Sequence, residues 1–298
     1  MAHAWTITSF YRFLDLEPDR LDALVTELSE VLREQGIWGL VILATEGINA
    51  TVAAESPDTI ARFKMLVCER LGDDGIRFKD STSEIKPFRH QNVVGRTEIV
   101  TLRRPDLHPD DPESSHLSAR EWHAMLGSPE PKIVLDTRNR YETVAGKFRG
   151  AIDPGLDAFS EWGEYLDRAE LPTDVPVMIY CTGGIRCEKA ILELRARGFE
   201  KVYQLRDGIL GYLAEFPDGE FEGECFVFDD RVALDQHLQP TTRFGICPGC
   251  GLTGSIETRC AWCGGRFLAC EDCTPRPALT CCKTCRDRVG RHGVRFGA

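Results

Sequence analysis

The chain has 298 residues, 42% hydrophobic, 28% charged and 9% aromatic, which is room for two or three domains and at least one full core. Its net charge of −11 argues against a protein basic over its whole surface, as an indiscriminate nucleic-acid binder would be. No apolar run approaches the roughly 18 residues of a membrane span, and Met1–Phe10 lacks a basic start followed by an apolar stretch, so neither a membrane partner nor a secretory signal is expected.

In chain order, Trp5–Phe13 is rich in β-formers. Pro18 opens a helix in which Leu21, Leu24, Val25, Leu28, Val31 and Leu32 recur at spacings of three and four, and Gly36 ends it. Trp38–Leu43 and Ile48–Ala53 read as strands around a Thr45-Glu46-Gly47 turn. A second helix runs from Pro57, with Ile60, Phe63, Leu66 and Val67 on one face, to Gly72, and Ile99–Leu102 supplies a further strand. The order β-α-β-β-α-β predicts a ferredoxin-like, acylphosphatase-like α+β domain over residues 1–103. Residues 104–115, rich in proline and acid, read as a linker.

Residues 116–220 read as an α/β domain with a parallel sheet. Ile133–Leu135, Val177–Tyr180 and Val202–Leu205 are short apolar runs of the buried-strand kind. A helix from about Cys187 to Arg197 ends at Gly198, and Gly208–Phe216 is the last helix. Residues 221–240 form a connecting segment, and composition breaks near 240. The first 240 residues carry −16, whereas 241–298 carry +5 and nine of the thirteen cysteines. With no export signal, so many cysteines point to metal or redox chemistry before disulfides.

Polar residues follow the first two of these strands, Asp136-Thr137-Arg138-Asn139 and Cys181-Thr182-Gly183-Gly184. Carboxyl ends of parallel strands share one edge, so Asp136 and Cys181 are expected together. The loop Cys181-Thr182-Gly183-Gly184-Ile185-Arg186 lies between a strand and a helix. Its glycines let backbone N–H groups turn inward, the helix dipole adds positive potential, and Arg186 adds a full charge. All three lower the Cys181 pKa and favour an anion on sulfur. Cysteine phosphatases use Cys-x5-Arg; the Cys-x4-Arg here is a smaller cradle that resembles the persulfide loop of rhodanese domains. Cys187 is read as a helix-start cysteine, Cys68 as core, and Cys225 carries no chemical role.

The tail contains four C-x2-C pairs: Cys247/Cys250, Cys260/Cys263, Cys270/Cys273 and Cys282/Cys285. Eight thiolates suit two tetrahedral zinc ions in a structural role, since so short a segment has little core of its own. Consecutive and interleaved pairings fit equally, and Cys281 can replace Cys282 through a C-x3-C spacing.

Cys181–Ala190, CTGGIRCEKA, with Asp136–Asn139, Tyr141-Glu142, Gly150–Pro154, Tyr203–Leu205, Gly208–Leu210 and the Glu46-Gly47-Ile48-Asn49 motif, resembles the rhodanese-domain tRNA uridine-34 hydroxylases. That resemblance implies a bacterial, cytoplasmic enzyme, an oxidoreductase that converts wobble uridine to 5-hydroxyuridine with molecular oxygen as co-substrate. Cys181 matches the reactive cysteine, working through a persulfide, with Arg186, Asp136 and Arg138 around it. The implied partners are tRNA, at its anticodon region, and an electron donor. The basic residues of the tail become candidate phosphate contacts. No flavin or nicotinamide fingerprint is present. His108-Pro109-Asp110 has the spacing of an iron site but no third histidine, so no iron is expected. Two other readings stand beside this one: a sulfurtransferase passing persulfide sulfur to a thiol, and a non-catalytic zinc-dependent RNA- or protein-binding module.

Overall fold

The structure, a computed structural model, describes residues 4–109 and 115–296. Asp110 of the His-x-Asp spacing, and 111–114 of the linker, lie outside the described residues. The N-terminal elements are β1 (Trp5–Phe13), α1 (Pro18–Glu34), β2 (Trp38–Ala44), β3 (Gly47–Ala54), α2 (Pro57–Leu71), β4 (Lys79–Ser83) and β5 (Gln91–Gly95). Their sheet order is β4-β1-β3-β2-β5, a ferredoxin-like arrangement with β5 added in parallel beside β2. Each helix opens with proline, which suits a first turn that lacks N–H partners. Leu24, Leu28 and Leu32 of α1 and Ile60, Phe63 and Val67 of α2 bury against Phe10, Val41, Leu43, Ile48 and Val52.

Strand alternation then leaves the opposite face free of helices. In register across it lie Tyr11, Asn49 and Ile42 in one row, and Ser9, Thr51 and Leu40 in the next. This face meets the second domain.

The predicted strand at Ile99–Leu102 is corrected. The segment forms no ladder; its backbone is held by side chains, with Ile99 N–H donating to Glu46 Oε1 at 2.7 Å and Leu102 N–H to Glu98 Oε1 at 3.3 Å. Ile99 and Leu102 are buried because the chain crosses between domains there, and Leu102 joins the core of the second. The fourth strand is the polar Lys79–Ser83, an edge strand with too few apolar residues to show a period.

The second domain comprises β6 (His116–Leu117), α3 (Ala119–Gly127), β7 (Ile133–Asp136), α4 (Arg140–Thr143), β8 (Gly146–Phe148), α5 (Trp162–Arg168), β9 (Val177–Tyr180), α6 (Ile185–Ala196), β10 (Val202–Leu205) and α7 (Gly208–Glu215). Its main sheet has four parallel strands in the order β6-β10-β9-β7. Cores on both sheet faces account for the continuous apolar runs of β7 and β9. Asp136 pairs in register with Tyr180, which places Asp136 and Cys181 at the same carboxyl edge. The following segment is tied back by pairing of Phe221–Gly223 with β8. The cysteine-rich lobe is built from short hairpins and a helix, α8 (Lys283–His292).

Candidate active site

Cys181 directly follows β9 and its side chain is fully buried. The loop after it is held by α7, whose first amides bind the loop carbonyls: Ile209 N–H to Cys181 O at 3.0 Å and Leu210 N–H to Thr182 O at 3.2 Å. A side chain at Gly208 would strike those carbonyls, since an added Cβ would lie 2.5 Å from Cys181 O. With the carbonyls turned to α7, loop amides turn to sulfur, and Gly184 N–H donates to Cys181 Sγ at 3.0 Å. Gly184 is also the N-cap of α6, at a φ of 101° that other residues rarely adopt.

Burial alone would raise the Cys181 thiol. Hydrogen bonding from Cys187, the Arg186 charge and the amides of Arg186 and Gly184 outweigh it and bring Cys181 down to about 5. Cys187, in the first turn of α6, is fully buried, and burial holds it well above the ordinary thiol range. The surroundings thus favour the thiolate at Cys181 and the thiol, as donor to it, at Cys187.

Arg186 does not stand free. Its guanidinium grips Glu142 of α4 at 2.5 and 2.7 Å, inside the protein. Glu142 also accepts from Thr182 Oγ1 at 3.2 Å. The pair fixes the loop and leaves Cys181 beside a cation that is already partnered. Asp136 and Arg138 reach the same edge and form a second, fully buried pair, 2.6 Å at the closest. Arg138 also donates to Gly146 O. Neither lines the cleft described next. Their charges are satisfied by each other beneath the loop, so they hold the β7–α4 turn in place.

Between the cysteine loop and the helix-free face of the N-terminal sheet lies a cleft of about 710 Å³. Thr182, Gly183, Ile185 and Arg186 line one side, Tyr11, Asn49, Thr51 and Ser81 another, and Tyr141 and Phe228 the rim. This is the size range of small-molecule pockets. The N-terminal domain also touches the loop. Lys79 Nζ donates to Gly183 O at 2.8 Å, and Tyr11 donates to Glu188 Oε1 at 2.7 Å with its hydroxyl packed against Gly184. Sequence reading missed Tyr11, Lys79 and the role of Glu142. The alternation of β1 placed Tyr11 on one face but gave no sign of what that face meets.

In the tail the cysteines gather into two interleaved sets, Cys247/Cys250/Cys270/Cys273 and Cys260/Cys263/Cys281/Cys285. Within each set the sulfurs lie within 4.8 Å of one another. The expected ligand Cys282 is corrected to Cys281. Cys282 is exposed as the N-cap of α8, whereas Cys285, three residues further along the helix, turns inward. Four thiols at such a spacing can hold a metal ion, and an all-sulfur set fits zinc.

Fold and site together define a rhodanese-type protein, with the cysteine loop facing an acylphosphatase-like domain and a lobe attached whose cysteines can hold metal. Family models match accordingly: a UPF0176 acylphosphatase like domain at residues 5–99, a rhodanese-like domain at 118–215 and a rhodanase C-terminal domain at 222–286. A protein of Bdellovibrio bacteriovorus named tRNA uridine(34) hydroxylase is 42% identical over 98% of this chain and 83% of its own. One of the same name from Legionella pneumophila is 40% identical over 78% of this chain and 91% of its own. The chain belongs to the tRNA uridine(34) hydroxylase family. Among solved structures, a rhodanese-like domain protein of Staphylococcus aureus matches at 20% identity over 33% of this chain and 90% of its own, with a TM-score of 0.29.

Proposed function

We propose that the protein hydroxylates uridine 34 of tRNA at C5, with Cys181 as the reactive sulfur, carried as a persulfide. The observation that carries this reading is the placement of a thiolate-favouring loop at the wall of a cleft large enough for a nucleoside. A sulfurtransferase acting on a small thiol has no use for the second wall, which the N-terminal sheet supplies.

The net reaction joins uridine, molecular oxygen, two protons and two electrons to give 5-hydroxyuridine and water, so it is an oxidoreductase reaction and requires an external two-electron reductant. The protein's own residues bind and orient. Loop amides and Arg186 hold the sulfur anionic, and Glu142 keeps Arg186 in place. Tyr141 and Phe228 offer rings at the cleft rim for a base to stack on. The uridine enters as part of the anticodon region, where bases can be splayed from the stack. Among the described residues no helix is long and apolar enough to cross a membrane, and we place the reaction in the cytoplasm, where tRNA is found. Zinc is the ion assigned to both thiol sets, in a structural role.

The test is nucleoside mass analysis of tRNA from cells lacking the protein, complemented with the wild type or with Cys181→Ala. The wild type restores the single-oxygen mass gain at uridine 34 and the variant does not. Persistence of that gain with Cys181→Ala removes the cysteine from the reaction.

A further inference from the structure

Arginines of the body are mostly paired: Arg70 with Glu27, Arg149 with Glu222 and Arg197 with Asp167, for example. The helix α8 of the cysteine-rich lobe is different. It carries Lys283, Arg286, Arg288 and Arg291 in ten residues, all exposed, against one acid, Asp287. Only Cys285 of this helix is buried, in the second thiol set, so that side faces inward and the rest is presented to solvent. Among the described residues Lys283, Arg286 and Arg291 have no ion-pair partner, while Arg288 lies over the Trp262 ring at 5.9 Å. Arg295, just beyond the helix, approaches the same ring at 6.0 Å.

Unpaired surface cations are ordinarily just hydrated. Two further observations set these apart. The whole body is acidic at −16, so the basic helix stands alone against it. The lobe also meets the body beside the cleft: Asp272 lies 3.5 Å from Arg140, whose chain neighbours Asn139 and Tyr141 line the cleft. A polyanion with one nucleotide in that cleft therefore has within its reach the lobe that carries this basic helix.

From this charge complementarity we infer that α8 is a docking surface for the phosphodiester backbone of tRNA, with Lys283, Arg286 and Arg291 as its phosphate contacts. The inference rests on the proposed tRNA reading and adds where the rest of the tRNA is held. The contacts are to phosphate and are independent of base sequence, so they supply affinity and no choice of base. None of them lines the cleft, and they act on binding alone.

The experiment compares the full-length wild type with a Lys283→Ala/Arg286→Ala/Arg291→Ala variant, measuring the dissociation constant for whole tRNA over a series of salt concentrations. Three lost phosphate contacts should reduce the slope of log K against log salt by about 2–3, and weaken binding at physiological salt by at least about tenfold. Hydroxylation at saturating tRNA should keep its turnover number while KM rises. Zinc content and melting temperature are measured alongside. If the triple variant loses zinc or melts early, single Arg286→Lys and Arg291→Glu variants replace it: the first should bind as the wild type and the second more weakly. An unchanged slope and affinity in well-folded variants overturns the inference while leaving the uridine reading intact. A wild type that does not bind tRNA at all overturns that reading itself.

Discussion

Lys189 Nζ lies 2.7 Å from Glu46 Oε2, and the lysine side chain is completely buried. Glu98 approaches the same nitrogen at 2.7 Å. Lys189 belongs to α6, the helix that opens at the cysteine loop; Glu46 lies in the β2–β3 turn of the other domain, and Glu98 in the crossing segment. The family motif Glu46-Gly47-Ile48-Asn49 thus has a physical role: Glu46 accepts from Ile99 N–H and neutralises Lys189, and so fixes the sheet face opposite the loop.

Removing the lysine strands two carboxylates in the interior. Lys189→Met should destabilise the chain by about 3–5 kcal/mol, the cost of an unpaired buried charge. Adding Glu46→Gln and Glu98→Gln should recover much of that loss, because neutral amides need no counter-ion. Urea unfolding of the two variants checks the pair. A single Lys189→Met as stable as the wild type would show that the domains are not held in this way.

Cys181 gives a pH prediction. Its value is depressed to about 5 against roughly 8.5 for a free thiol, so folding favours the anion. The contribution to stability is fully present above the unfolded value and is lost as pH falls through about 5. The wild-type minus Cys181→Ser ultraviolet difference spectrum should show a thiolate at neutral pH that disappears near pH 5. Arg186→Gln should move this transition upward, since it removes the cation beside sulfur. A difference spectrum that appears only above pH 8 contradicts the cradle.

The cradle and its strand were legible because a Gly-Gly turn followed by arginine has few other uses. The helices α1 and α2 were legible from leucine and isoleucine spacing alone. What could not be read is what depends on meetings between distant segments. Lys79 and Tyr11 touch the loop from another domain. The β4 strand Lys79–Ser83 has no apolar alternation because it lies at a sheet edge. Asp136 and Arg138 looked like pocket charges, and no spacing rule says that they are buried against each other.

Gly184 tests the loop's backbone. At φ 101° a side chain is strained, and an added Cβ would also lie 2.9 Å from the Tyr11 hydroxyl. Gly184→Ala should therefore displace the amide that binds Cys181 Sγ and cut hydroxylation by at least about tenfold, the effect of losing one donor to a reacting anion being about 10²–10³. Combining it with Tyr11→Ala should not restore activity, because the dihedral strain remains. Restoration by the double variant would mean that only the contact with Tyr11 matters.

Cys281 and Cys282 are adjacent, and their fates should differ. Cys281 completes the second thiol set with Cys260, Cys263 and Cys285, whereas Cys282 caps α8 from outside. Metal analysis of the purified wild type should give two zinc ions per chain. Cys281→Ser should lower this to one, because serine is a poor ligand in a four-thiolate site. Cys282→Ser should keep both. Since binding energy is folding energy in so small a lobe, Cys281→Ser should also expose the segment around α8 to proteolysis, while Cys282→Ser resists it. The reverse pattern, with Cys282→Ser losing the ion, would restore the fourth C-x2-C pair as the ligand set and rotate α8 about its axis.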